Sequence, residues 1–359
     1  MKWGHWAVCF PPLREVGAEI MEAETNGVKV GKSYATEEVH FTGGIKGAPT
    51  NLGWALFPVS DDEQADAIVF GSPKAHLEFA TQACGLRYIG TCMKYMSGTN
   101  SPPMEIWDFG ARDPQNGLGA ADSWSTIGHQ AEKAGDTQYA EAASYVCASL
   151  RASGLRLRDV SNGYHDQLRW ALAEKRKPGL WFSNAALHDL YADFHSLASE
   201  LSSARDHIAA IVAMHVGAPD RIDGLARLED WLAKPANKMH ATDPMVHSLL
   251  VALGPKDSPG WLRRMGDIRN EMLHRTPMGA NKSVRSLVLE QVNTPLGTVS
   301  KIRLGEPRKT MAEQQQDPLV ELSQICASFE ILCRTIWKHA KYPAEPLNFV
   351  MGPSGLQVT

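Results

Sequence analysis

From about residue 183 the spacing of apolar residues changes from strand-like to helical, and this constrains the fold more than any other feature of the chain. In SNAALHDLYADFHSLASELSSARDHIAAIVAMHVGAP, Leu187, Leu190, Tyr191, Phe194, Leu197, Leu201, Ala204, Ile208, Ile211 and Val212 recur every three or four positions. Ser183 can cap such a helix, Gly217 suits its C′ position and Pro219 follows as a stop. The pattern predicts one helix of roughly 33 residues, about 50 Å long. Shorter helices are expected at about 222–234 and 244–253. A further one opens at Ser258-Pro259 and closes at Thr276-Pro277. The last, PLVELSQICASFEILCRTIWKHAKYP, carries Leu322, Ile325, Cys326, Phe329, Leu332, Cys333, Ile336 and Trp337 on one stripe and stops at Pro343. Between these two helices, SVRSLVLEQVNTPLGTVSKIRLGE (283–306) alternates like a hairpin around Asn293 to Gly297.

The first half has the other period. HWAVCF (5–10), EEVHF (37–41), GWALFPV (53–59), DAIVF (66–70) and LRYIGTCM (86–93) are short apolar runs separated by Gly, Pro and Asn. Ser72-Pro73 opens a predicted helix, 98–128 reads as a long loop or a set of insertions, and helices are expected near 136–152 and 163–177. The expected class is α+β. A mixed α/β domain spans 1–180, an all-α helical bundle with a β-insertion at about 283–306 spans 181–345, and a tail spans 346–359.

Composition narrows the function classes. A charged fraction of 21% and a hydrophobic fraction of 43% are those of a soluble globular chain. A net charge of -4 excludes a binder that works by coating phosphates, but not an enzyme that meets RNA in a narrow cleft. The six cysteines form no CxxC pair, and no apolar run has the length of a signal peptide or a membrane span. The expectation is a cytoplasmic protein with free thiols and no membrane partner. Cys326 and Cys333, seven apart on one helical face, read as core rather than metal ligands.

The chemistry concentrates in MGDIRNEMLHRTP, residues 265–277. On a helical wheel Trp261, Leu262, Met265, Ile268, Met272 and Leu273 fall within an arc of about 140°, and Arg269 falls inside it. A permanent charge on an apolar stripe either snorkels to solvent or serves a site. Asn270 and His274 are four apart and share a face. Arg269 and His274 are five apart and point about 140° away from each other. Arg269 joins them only by sweeping round the helix, or across a two-fold axis from a second copy.

Residues 269–274, RNEMLH, match the Arg, polar residue, three residues, His pattern of the HEPN ribonucleases, and the helical half resembles that superfamily over about 183–343. The resemblance implies metal-independent cleavage of RNA by attack of the ribose 2′-hydroxyl at a homodimer cleft. Arg269 would hold the phosphate, His274 would act as general acid or base, and Asn270 would orient either. It implies no cofactor or metal, and a toxin or antiviral defence role. The N-terminal domain would then sense a regulatory ligand or an antitoxin. The family also holds members that bind without cutting, so a non-catalytic module recognising RNA, nucleotide or protein is the alternative. A third reading places an enzyme in the N-terminal half, where no nucleophile, metal or phosphate-loop pattern supports it.

Basic residues around the β-insertion, Lys282, Arg285, Lys301 and Arg303 among them, read equally as an RNA-guiding face or as an edge hairpin protected by charge. Arg205, Asp206 and His207 read as a surface cluster, with Asp206 a possible partner for Arg269. GLGAAD (117–122) falls short of a dinucleotide fingerprint.

Overall fold

The computed structural model describes residues 33–59, 67–97, 104–109, 118–272, 278, 286–305, 317–344, 349–352 and 355–358. It is a mixed helix-and-sheet, α+β structure. Its two compact units interleave along the chain. A sheet unit takes Met1–Asp108, Ser161–Ser183 and Arg285–Asp317, and a helical unit takes Phe109–Val160, Asn184–Val284 and Pro318–Thr359.

The sheet unit is built on β1 (Ser33–Phe41), β2 (Lys46–Thr50), β3 (Gly53–Phe57), β4 (Ile68–Phe70), β5 (Tyr88–Ser97) and β6 (Met104–Asp108). They form one antiparallel sheet in the order β4-β3-β2-β1-β5-β6. The run 5–10 lies outside the described residues. β1 passes to β2 through a 3-10 turn, Thr42–Gly44, in which Gly43 and Gly44 take φ of 77° and 81°. A Cβ on Gly44 would stand 2.5 Å from the Tyr164 carbonyl oxygen, so the turn is pressed against a helix that leaves no room for a side chain. Helix α1 (Pro73–Glu78) starts as its sequence predicts, with the Ser72 hydroxyl accepting the Ala75 N–H at 3.2 Å.

Two expectations in the middle of the chain are corrected. The stretch 98–128 contains β6 and the start of α2 (Ala120–Lys133) rather than one long loop. Ala120, Trp124, Ile127 and Ala131 are fully buried at helical spacing, a stripe that the surrounding Gly, Ser and Asp obscure. The two helices expected near 136–152 and 163–177 are one, α3 (Thr137–Ala173). Its Gly154 and Gly163 each cost only about 1 kcal/mol in a helix, no proline interrupts it, and Leu150, Leu157, Val160, Tyr164 and Leu168 are buried along it. Its first part belongs to the helical unit and its last to the sheet unit.

After α3, β7 (Trp181–Phe182) pairs with β8 (Leu287–Thr294), which pairs with β9 (Gly297–Leu304) across the Thr294–Gly297 turn. This small sheet lies in the sheet unit, where the Ser300 N–H donates to the Val59 carbonyl at 2.9 Å. Buried Asp317 accepts from the Tyr164 hydroxyl at 2.6 Å and the Leu304 N–H at 3.2 Å, tying α3 to β9.

The helical unit contains α2, most of α3, α4 (Leu187–His215), α5 (Leu225–Leu232), α6 (Pro244–Leu253), α7 (Trp261–Asn270) and α8 (Pro318–Trp337). A hairpin, β10 (Phe349–Gly352) and β11 (Gly355–Val358), also belongs to it. α4 begins at Leu187 rather than at a Ser183 cap, because Trp181 and Phe182 are drawn into a strand. Its ten-residue apolar series is buried, as is the α8 stripe from Leu322 to Trp337. Each large apolar side chain removed from water contributes about 1.5–3 kcal/mol. Glu330, buried on α8, accepts the Ala120 N–H at 2.6 Å and so caps α2 from a neighbouring helix. Among the described residues no helix is long and apolar enough to cross a membrane.

Candidate functional site

α7 lies between its neighbours with Leu262, Met265, Gly266 and Ile268 buried. Its first residue, Trp261, sets its ring edge-on to Phe329 of α8, with centroids 6.2 Å apart. The expected cap at Ser258 is replaced by Gly260, whose missing side chain lets it press onto the end of α6. A Cβ there would meet the Ala252 carbonyl oxygen at 2.3 Å. Two of the three arginines on α7 bind carboxylates of other helices. Arg263 holds Glu229 of α5 at 2.7 and 3.2 Å, and Arg264 holds Glu321 of α8 at 2.8 and 3.4 Å.

Arg269 is half-buried. Its Nη1 donates to the Asn270 Oδ1 at 3.0 Å, so the guanidinium has left the apolar arc for the face of its neighbour, about 100° round the helix. Glu271 and Met272 continue α7 as a π-turn. His274, Lys282 and Arg285 lie outside the described residues, as do Thr276 and Pro277. Lys301 and Arg303 are on β9 and belong to the sheet unit, whereas Arg269 and Asn270 belong to the helical unit. Arg303 is paired with Glu290 at 2.6 Å across the β8–β9 ladder and stacked over Trp181 at 5.1 Å.

Sequence reasoning missed the face of α4 that meets α7. A Cβ on Gly266 would lie 2.8 Å from the Arg205 Nη1, so the Arg205 guanidinium rests on α7 one turn before Arg269. Arg205 is held there by Asp206, at 3.1 and 3.3 Å, and Asp206 also accepts the Leu225 N–H at 3.2 Å at the start of α5. The Arg205–Asp206 pair is therefore a packed bridge between helices rather than a solvated surface cluster. His207 is separate from it, 3.0 Å from the Ser149 hydroxyl. Nearly three turns before Arg205, His195 accepts the Met278 N–H on Nε2 at 3.2 Å, and burial pushes its imidazole pKa down. His195, Ala198, Ser202, Arg205 and Ala209 share an arc of about 80° on α4. Polar residues interspersed with alanines along one strip were the available signal.

A second constellation sits in the sheet unit. His40 lies between the Ser161 Oγ, 3.0 Å from its Nδ1, and the Glu38 Oε2, 3.2 Å from its Nε2. Lys46 donates to Glu38 at 3.0 Å and to the Asn162 Oδ1 at 2.8 Å. Burial alone would raise the Glu38 pKa, but the hydrogen bond from His40 and the Lys46 charge bring it down to about 2. The Ser–His–Glu order is that of a hydrolase. Yet Ser161 is 2% and His40 0% exposed, so no carbonyl reaches the hydroxyl, and the network joins β1 and β2 to α3. The five described cysteines are free and buried, with Cys326 pushed up to about 12 by burial, which suits core packing. Among the described residues no group of three His, Cys, Asp or Glu could hold a metal ion.

Comparison of the chain with protein-family models, with curated proteins and with solved structures finds no match in any of the three.

Proposed function

We propose that the chain is a HEPN-type, metal-independent endoribonuclease that cleaves RNA at a homodimer cleft. The observation that carries this reading is the position of the Arg269 guanidinium, turned onto the Asn270 face of α7, with Arg205 resting on the same helix one turn away. Two planar cations on neighbouring turns suit a phosphodiester, whose charge grows as the reaction proceeds. The RNEMLH spacing supplies the histidine that such a site needs.

In the reaction, His274 removes the 2′-hydroxyl proton. The 2′-oxygen forms a bond to phosphorus, the bond from phosphorus to the 5′-oxygen breaks, and the departing oxygen takes a proton from a protonated histidine. Two copies of the RNEMLH segment across a two-fold provide one histidine for each role. Arg269 and Arg205 hold the non-bridging oxygens, and Asn270 fixes the Arg269 fork. The sheet unit serves as the sensing or restraining part, in a toxin or antiviral defence role.

Arg269→Ala and His274→Ala are each expected to abolish RNA cleavage while the dimer mass, read by light scattering, is unchanged. Cleavage that persists in both variants after repurification contradicts the assignment. RNA bound but uncut by the wild-type chain assigns the non-catalytic binding module instead.

A further inference from the structure

At the end of α3 the sequence RWALAEKRKPGLWF (169–182) sets four cations, Arg169, Lys175, Arg176 and Lys177, against Glu174 over nine residues of a chain whose net charge is -4. α3 ends in paired hydrogen bonds, Arg176 N–H to the Ala171 carbonyl and Lys175 N–H to the Leu172 carbonyl, both 2.9 Å. That ending puts residue 175 in the left-handed region, with φ of 52°, where glycine is the usual occupant. A lysine there is held against the backbone's preference. Helix ends favour nearby cations, but that preference does not require the one at the left-handed position to be charged.

Residues 174–177 and 180–182 line a cleft of about 500 Å³, Trp181 and Phe182 among them. Both aromatic rings carry a guanidinium: Arg176 lies 5.1 Å from the Phe182 centroid and Arg303 5.1 Å from that of Trp181. Arg176 and Arg303 are further fixed by Glu174 and Glu290 at 2.7 and 2.6 Å. Lys175 and Lys177 are exposed, Leu180 is 61% exposed, and Trp181 is half-buried. The rim is therefore cationic and exposed, and the wall is aromatic and braced.

We propose that this cleft binds a segment of single-stranded nucleic acid, for which RNA is the probe. Lys175 and Lys177 take successive phosphates, and a base stacks on the braced Trp181 ring. A cationic rim beside a stacking platform is the chemistry of single-strand binding. A duplex keeps its base faces paired and stacked, so it can use only the lysines. The site lies wholly in the sheet unit and does not rest on the cleavage reading.

The test is fluorescence anisotropy of a short single-stranded RNA, and of the same sequence in a duplex, with the full chain carrying His274→Ala, in EDTA over a range of salt. The single strand is expected to bind more tightly. Lys175→Ala/Lys177→Ala should weaken it and lower the slope of log affinity against log salt by about 1.4, at ~0.7 for each phosphate no longer neutralised. Trp181→Ala should weaken it about five-fold or more. If that variant fails to fold, the exposed lysine pair decides alone. Lys175→Gly is expected to raise the melting temperature while lowering affinity. An unchanged affinity and salt slope in the lysine pair overturns the proposal, as does duplex bound as tightly as the single strand. Absence of cutting by the wild-type chain bears on the cleavage reading and leaves this one standing.

Discussion

At Gly266 the candidate site can be separated from the fold. Alanine is better than glycine in a helix interior by about 1 kcal/mol, so Gly266→Ala should cost no stability on backbone grounds. Its Cβ, however, would meet the Arg205 Nη1 at 2.8 Å, at the far end of a flexible side chain that can swing away. The variant is expected to melt within a few degrees of the wild type and to lose RNA cleavage about ten-fold, as Arg205→Ala should. Cleavage equal to that of the wild type in both variants removes Arg205 from the site. Asn270 is exposed and accepts the Arg269 hydrogen bond, so Asn270→Ala should lower cleavage with little change in stability. Arg269 was legible in the sequence because a charge on an apolar arc is conspicuous. Arg205 was not, since the partner of a long side chain is decided by which helix packs beside it. Asp206 looked like a partner for Arg269, yet it is bound to Arg205 and the start of α5.

Elements were legible where one signal dominated. The α4 and α8 stripes and the Ser72 cap are all present in the structure, and the alternation at 283–306 forms β8 and β9. α2 was hidden because Gly, Ser and Asp near its start resemble a loop, and its cap, Glu330, comes from another helix. The break expected within α3 fails because local glycine signals are weaker than the burial of Leu157, Val160 and Tyr164. The pairing of Trp181 with Val288 joins segments more than a hundred residues apart, which no local pattern encodes. The β1–β2 turn is a demanding approach between elements. Gly44→Ala combines a left-handed backbone with a Cβ 2.5 Å from the Tyr164 carbonyl, and should destabilise the sheet unit by about 3 kcal/mol or more in denaturant titration. A variant as stable as the wild type contradicts that packing.

For the whole molecule, buried titratable groups set an acid limit. His76 sits among Phe41, Trp54 and Phe70, and burial brings its pKa from the usual 6.5 to about 4. Burial and the Lys46 charge bring His165 to about 4 as well. Both are neutral when folded and bind protons more readily when unfolded. Their contribution is complete above about pH 6.5 and is lost as pH falls towards 4, roughly 2 kcal/mol each by pH 5. Glu38, held near 2, adds a loss that begins below its usual 4.5. Denaturant midpoints should therefore fall steeply from pH 7 to pH 5, and an unchanged midpoint contradicts the burial of these histidines. The central claim concerns chemistry, and the ends of the cut RNA test it most directly. With EDTA present, the wild-type chain should leave 2′,3′-cyclic phosphate and 5′-hydroxyl ends, and His274→Ala should leave the RNA intact. A 5′-phosphate product, or cutting that stops when EDTA is added, would contradict it.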